Sequence, residues 1–420
     1  MTAAPDPGLI ASLRGLDRDG RLLFATRVLR MFGYGFLAVV LVLYLDALGL
    51  DGLSIGILLT LTLVGDTLIS LWLTTNADRL GRRRVLVAGA SLMVLAAILF
   101  AVTRDYPLLV LAATIGVISP SGNEVGPFLA VEQASLSQIV GDERRTPVFA
   151  WYNVAGYLAT ASGSLAAGLV AGSLIAAGLG QVDAYRAIVF GYAVVGLTLA
   201  LGFWRLSNRV EAPPRAAGAP EPNRFGLHRS RRIVLRLSAL FSLDAFGGGL
   251  VPQSLMAFWF HQRFGVEPAV LGAIFFGANI LAAVSSLSAV PLARRIGLVN
   301  TMVFTHLPSN ILLILVPLMP NLPLAIAVLL ARFSISQMDV PTRQSYVMAV
   351  VDPDERSAAA GVTGIARTTG AAVSPLISGP LILNAGLAGI PFVLAGGLKI
   401  VYDLALWRAF SAVKPPEERG

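Results

Sequence analysis

Twelve stretches of mainly apolar residues follow one another along this chain, near 23–47, 53–76, 85–103, 107–133, 148–176, 184–204, 233–260, 266–292, 299–319, 322–350, 358–384 and 388–410. A helix rises ~1.5 Å per residue, so ~20 such residues cross a hydrocarbon core of ~30 Å. Repeated twelve times, runs of that length leave too few polar residues to coat a globule in water. Only 13% of the 420 residues are charged, against ~25% in ordinary soluble domains. The chain reads as an all-α membrane protein of twelve transmembrane helices.

The loops between the runs set its orientation, because Arg and Lys gather on the cytoplasmic side. One set of loops holds Arg14, Arg18, Arg21, Arg79, Arg82, Arg83, Arg84, Arg144, Arg145, Arg294, Arg295 and Arg356; the other holds Arg104, Arg186 and Arg263. The first set is expected in the cytoplasm, and the even number of spans puts both termini there. The opening residues are polar and mixed in charge and lack a signal-peptide cleavage pattern. No Asn-x-Ser/Thr site occurs, and a bacterial inner membrane is the expected location.

Residues 206–231 are polar, basic and rich in Pro and Ala, including Ala212-Pro213-Pro214 and Ala219-Pro220-Glu221-Pro222. This composition fits a flexible cytoplasmic linker between two six-helix bundles, 1–205 and 232–420. The bundles repeat each other. Phe32-Gly33 matches Phe246-Gly247, Gly49, Asp51 and Gly56 match Gly265, Glu267 and Gly272, Ala77 to Gly81 matches Ala293 to Gly297, and Asp142-Glu143-Arg144 matches Asp354-Glu355-Arg356. The order is preserved and the offset stays within a few residues of constant. Duplicated bundles suit a site at the repeat interface that opens alternately to the two sides.

After the second run the sequence is Asn76-Ala77-Asp78-Arg79-Leu80-Gly81-Arg82-Arg83-Arg84. This resembles the signature loop of the major facilitator superfamily, with Thr74 where the family has a leading Gly. The resemblance in layout covers roughly residues 20–412. It implies two pseudo-symmetric six-helix bundles, a central cavity lined by the first helix of each three-helix unit, and a cytoplasmic latch in the outward-facing state made by Asp78, Arg79, Gly81 and Arg82. The Gly-Pro motif of many proton-antiport drug exporters in that family is absent from the fifth run, Ala159 to Gly168.

Ionisable residues at membrane depth cost ~2.5–3.5 kcal/mol on insertion scales, so they need a partner or a wet cavity. They concentrate here on four runs. The first carries Arg27, Arg30 and Tyr34 on one helical face; the fourth carries Glu124, Phe128 and Glu132; the seventh carries Arg236 and Asp244; the tenth carries Arg332, Ser336, Asp339 and Arg343. These are the runs that the resemblance places at the cavity. Candidate proton carriers are Glu124, Asp244, Asp339 and Asp66, with Glu124 favoured because Pro120, Gly122, Gly126 and Pro127 loosen the helix around it. A desolvated carboxylate holds a proton more readily, as a carrier requires. Arg30, Tyr34, Asn123, Gln253, Trp259, Arg332 and Arg343 are candidates for the substrate cavity. Arg30 and Asp244, two residues before the shared Phe-Gly, are expected to pair across the halves. Arg27, Arg236 and Glu132 are expected to snorkel toward a helix end, and Gly247-Gly248-Gly249 with Pro252 to flex during gating.

Cysteine is absent, and neither lysine, Lys399 or Lys414, precedes Ser or Thr as a nucleotide-binding loop requires. His228, His261 and His306 form no zinc motif. No cofactor, metal, catalytic constellation or nucleic-acid partner is expected. The reading is a secondary transporter, monomeric and proton-coupled, exporting a drug-like or metabolite solute. Two alternatives stand beside it: a uniporter or importer of an organic anion, and a non-transporting sensor or assembly factor on the same scaffold.

Overall fold

The computed structural model describes residues 16–140, 142–212, 228–352 and 355–413. The central part of the expected linker, 213–227, lies outside them. The twelve runs appear as α1 (Arg18–Ala38) with α2 (Leu41–Ala47), α3 (Gly52–Leu80), α4 (Arg82–Val102), α5 (Tyr106–Ile115) with α6 (Phe128–Ile139), α7 (Asp142–Ala176), α8 (Gln181–Trp204), α9 (Arg231–Gly249) with α10 (Gln253–Phe264), α11 (Pro268–Ile296), α12 (Leu298–Leu315), α13 (Leu322–Phe333) with α14 (Asp339–Val350), α15 (Arg356–Leu383) and α16 (Ile390–Phe410). Two short 3-10 turns, Asn208–Val210 and Val316–Leu318, complete the set among the described residues.

Local chemistry sets many of these boundaries. Asp17, Asp51, Asp105 and Asn321 each cap a helix by accepting from a backbone N–H three residues on, at 2.7–3.2 Å. Gly81 and Gly297, equivalent in the two repeats, end α3 and α11 with φ of 96° and 86°, which side chains other than Gly rarely adopt. Both corners turn the chain directly into the next span.

The four interrupted spans are the first, fourth, seventh and tenth, the same four that carry the deep charges. The fourth unwinds over 116–127 around Pro120, Gly122, Gly126 and Pro127. The seventh breaks at Leu250–Pro252, just after the triple glycine, which itself stays helical. The tenth is interrupted at 334–338 and the first at Val39–Val40. Opened backbone at this depth persists only inside protein or beside water. The break in the first span is buried, with Val39 and Val40 both 0% exposed.

Within each half, α1 packs on α7 and α9 on α15; across the halves, α7 packs on α11 and α3 on α15. The two cross-half contacts are glycine crossings at the arginine-poor end. An added Cβ on Gly168 would lie 2.3 Å from the Pro268 carbonyl, and one on Gly272 would lie 2.7 Å from that of Ser164. At the second crossing, an added Cβ on Gly56 or Gly379 would lie 2.6 Å from the Pro375 carbonyl or 2.5 Å from that of Gly52. Small residues four apart let the backbones touch, as in membrane helix pairs generally. Gly56 and Gly272 were already matched in the repeat, so one crossing is the pseudo-symmetric copy of the other.

At the arginine-rich end Glu355, 2% exposed, accepts from the backbone N–H groups of His228, Arg229 and Ser230 at 2.5–2.9 Å. It ties the start of α9 to the start of α15. Burial pushes its carboxyl up, but the three backbone hydrogen bonds and the Ser230 hydroxyl outweigh this and bring it down to about 2. A carboxylate depressed by folding stabilises above the ordinary glutamate range and loses that contribution as pH falls through its folded value. Glu355→Gln is therefore expected to lower the melting temperature at neutral pH. The gap to wild type should close as pH drops from the ordinary range toward about 2, measured by thermal unfolding across pH.

Candidate functional site

The N-terminal half is held by a buried ion network joining its broken spans. Arg30, 0% exposed, donates to Glu132 Oε1 at 2.6 Å and Oε2 at 2.8 Å, and to Glu124 Oε1 at 2.5 Å. Arg27 donates to Glu124 Oε2 at 2.7 Å and to the Tyr152 carbonyl at 3.3 Å. The Tyr152 hydroxyl donates to Glu132, and its ring lies under the Arg27 guanidinium. Tyr34 donates to the Val125 carbonyl of the unwound segment at 3.0 Å. Asp66 on α3 accepts from Gly126 N in the same segment at 2.7 Å and from the Ser70 hydroxyl at 3.1 Å.

The C-terminal half holds a second network. Asp244 accepts from Lys399 Nζ at 2.6 Å and from Arg343 at 3.4 Å, and Arg343 also donates to Asp339 at 2.7 Å. Behind it, Asp403 is bonded to His306 Nδ1 at 2.8 Å and to Asn310 Nδ2 at 2.9 Å. Arg332 and Arg367 stand close enough to Asp244 and Asp339 to feel both charges. Each has a buried nitrogen without a hydrogen-bond partner, Nε and Nη1 respectively.

Between the networks the halves touch at mid-depth. Ser254 N donates to the Pro120 carbonyl at 3.0 Å, so the break in the seventh span is bonded to the break in the fourth. Gln253 donates to Ser164 Oγ at 3.2 Å and accepts from Asn279 at 3.1 Å. Asn123 is exposed on unwound backbone; water, rather than lipid, must meet it. The glycine crossings hold the two halves together at the arginine-poor end.

Several expectations change. Arg30 and Asp244 do not pair: each is taken up by carboxylates or cations of its own half. Arg27 and Glu132 do not snorkel, being 5% and 0% exposed inside the first network. Arg236 does lie exposed on α9. Glu124, the favoured proton carrier, is clamped by two arginines, Arg27 and Arg30. Trp259, 1% exposed, packs on Phe260, Phe264 and Phe392. In the signature loop, Asp78 is 66% exposed and accepts from Arg82 Nε at 2.8 Å, while Arg79 is exposed. Arg82 turns to Gln138 at 3.0 Å and to the Val210 carbonyl at 3.2 Å, and its backbone N–H donates to Glu211 at 2.6 Å. The loop thus grips the segment that follows α8.

Tyr152, His306, Asn310, Lys399 and Asp403 were missed as network members. Lys399 and Asp403, four apart inside the last apolar run, carried a readable signal: a charge pair at membrane depth on one helical face. His306 and Asn310 share the same spacing on the ninth run.

Two bundles related by a repeat, each broken at mid-depth around buried ions and closely packed at one end, define a multi-pass secondary transporter rather than an enzyme. The chain belongs to the major facilitator superfamily, whose model matches residues 23–375. An uncharacterized membrane protein of Saccharomyces cerevisiae is 30% identical, with 97% of each chain covered. Among solved structures, the nucleoside transporter NupG is similar with a TM-score of 0.71 at 15% identity, covering 94% of this chain and 99% of that one. A D-xylose–proton symporter matches with a TM-score of 0.70 at 15% identity, covering 93% and 97%. A bacterial homologue of the lysosomal transporter Spinster, inward-facing and occupied, gives 0.72 at 15%, covering 93% and 96%. At such identities the likeness is one of fold.

Proposed function

We propose that this chain moves a small solute by alternating access, coupled to a proton carried at Asp66, with the arginine-rich end and both termini in the cytoplasm of a bacterial inner membrane. The glycine crossings then close the outer end. The observation behind the coupling is the isolation of Asp66. Every other deep carboxylate named above meets a cation or His306, whereas Asp66 has no ion pair among the described residues. Gain or loss of a proton there changes the local charge with nothing to compensate it. Its partner Gly126 N belongs to the unwound segment, at a residue with φ of 81°. Proton exchange therefore acts on the backbone of a broken span, which is where a conformational step would bend.

The test uses proteoliposomes containing an internal pH indicator and a solute found by thermal-shift screening, since a bound solute raises apparent stability. Wild type is expected to move protons when the solute is added. Asp66→Asn is expected to lose that movement while still exchanging labelled solute across the membrane. Proton movement that survives in Asp66→Asn removes Asp66 from the mechanism. Solute flux indifferent to the pH gradient in wild type would favour a uniporter.

A further inference from the structure

Resting on the transport reading above, we propose that the solute carries an oxyanion, a carboxylate or phosphate group, which the C-terminal half binds at Arg332 and Arg367. Three carboxylates at membrane depth in that half, Asp244, Asp339 and Asp403, face four fixed cations at the same depth, Arg332, Arg343, Arg367 and Lys399. Lys399 and Arg343 take Asp244 and Asp339, and His306 with Asn310 takes Asp403. Among the described residues, Arg332 Nε and Arg367 Nη1 are left as buried donors without an acceptor. A buried unpaired donor on a cation is costly, and a guanidinium fork matches the two oxygens of a carboxylate or phosphate. Arg332 lies on the tenth span and Arg367 on the eleventh, both within electrostatic reach of Asp244 and Asp339, and Arg367 also of Arg343. Next to Arg367 on α15, Gly361 and Gly364 front open space.

The other half carries the complement. Glu124, Glu132 and Asp66 face only Arg27 and Arg30. With Asp66 ionised and the site empty, one surplus negative charge in one half balances one surplus positive charge in the other. Protonating Asp66 leaves a single positive excess, which a monoanion at the arginines cancels. Empty and fully loaded forms are then both neutral, and the half-loaded forms are not. That favours one proton travelling with one negative charge, in the same direction. The transport step is then symport of an organic anion with a proton, in place of export of a drug-like solute.

The experiment follows thermal unfolding of the purified full chain in neutral detergent with matched probes at constant ionic strength: benzoate against benzamide, gluconate against glucose, and inorganic phosphate. A separate arm adds phosphatidylglycerol. At least one anion is expected to stabilise wild type while its neutral partner does not. Arg332→Gln and Arg367→Gln should each weaken that binding by tenfold or more, and Arg236→Gln, at an exposed arginine, should leave it unchanged. Arg332→Lys and Arg367→Lys keep the charge and guard against loss of fold; they should bind, but more weakly than wild type. An arginine-dependent shift with phosphatidylglycerol alone supports the oxyanion chemistry and makes a lipid headgroup its source. Stabilisation by the neutral partners, an anion effect that survives both glutamine variants, or a panel without an anionic hit overturns the proposal. An anion that binds at the arginines and crosses without a proton removes the role given to Asp66 and leaves this site standing.

Discussion

Replacing Arg30 by methionine is expected to cost about 3–5 kcal/mol, because breaking a buried ion pair from one side strands the remaining charge. Arg30 is fully enclosed and donates to both Glu124 and Glu132. Without it Glu132, also 0% exposed, keeps only the Tyr152 hydroxyl, while Glu124 keeps Arg27. A loss of that size is a large part of the ~5–15 kcal/mol that holds a typical domain together. Thermal unfolding in detergent should show a marked drop in melting temperature, with less monodisperse protein on size exclusion. Adding Glu132→Gln should recover part of the loss by removing the stranded charge. A variant within ~1 kcal/mol of wild type would mean that the pairs are no stronger than surface salt bridges. The exchange of Arg30 and Asp244, which the repeat alignment recommends, is expected to restore nothing. Each residue would then meet like charges in a network built for its opposite.

That exchange marks the limit of what the sequence discloses. Span number, span order and the concentration of charge on the first, fourth, seventh and tenth runs are all readable, because hydropathy and spacing are local properties. The break in the fourth span is readable too, since two prolines and two glycines crowd around Glu124. Partner choice is not local. Arg30 lies 102 residues before Glu132 and Asp244 lies 155 before Lys399. Symmetry suggested Arg30 with Asp244, but it relates equivalent positions in the two halves and does not bring them into contact. The arginines that clamp Glu124, the favoured proton carrier, sit on another span. Asp66 is readable as a deep carboxylate, and among the described residues it has no cation. The break at Val39–Val40 has no proline or glycine to announce it. Trp259 was assigned to the cavity from its position just after the seventh-span break. The turn of the helix instead carries it into an aromatic cluster.

The sealing of the arginine-poor end yields the second large effect. Gly272→Leu is expected to hold the transporter open at that end and to abolish transport without unfolding it. A Cβ at residue 272 would already lie 2.7 Å from the Ser164 carbonyl and 2.9 Å from Gly168 Cα, both backbone atoms that cannot rotate away. Overpacking of this kind costs ~1–3 kcal/mol. Here the cost falls on the closed crossing alone, because the helices separate when that end opens. Between two states, a penalty of ~1–3 kcal/mol on one shifts their ratio about 5–150-fold. The chain contains no cysteine, so one introduced at Gln253, 5% exposed beneath the seal, reports access without background. A membrane-impermeant maleimide added from the arginine-poor side should label it roughly tenfold faster or more in the Gly272→Leu background. Gly379→Leu, at the pseudo-symmetric crossing, should act the same way, whereas Gly397→Leu, where no atom lies within 4 Å of an added Cβ, should not. If labelling and transport stay at wild-type levels in Gly272→Leu, the two crossings are ordinary packing and the gate at this end lies elsewhere.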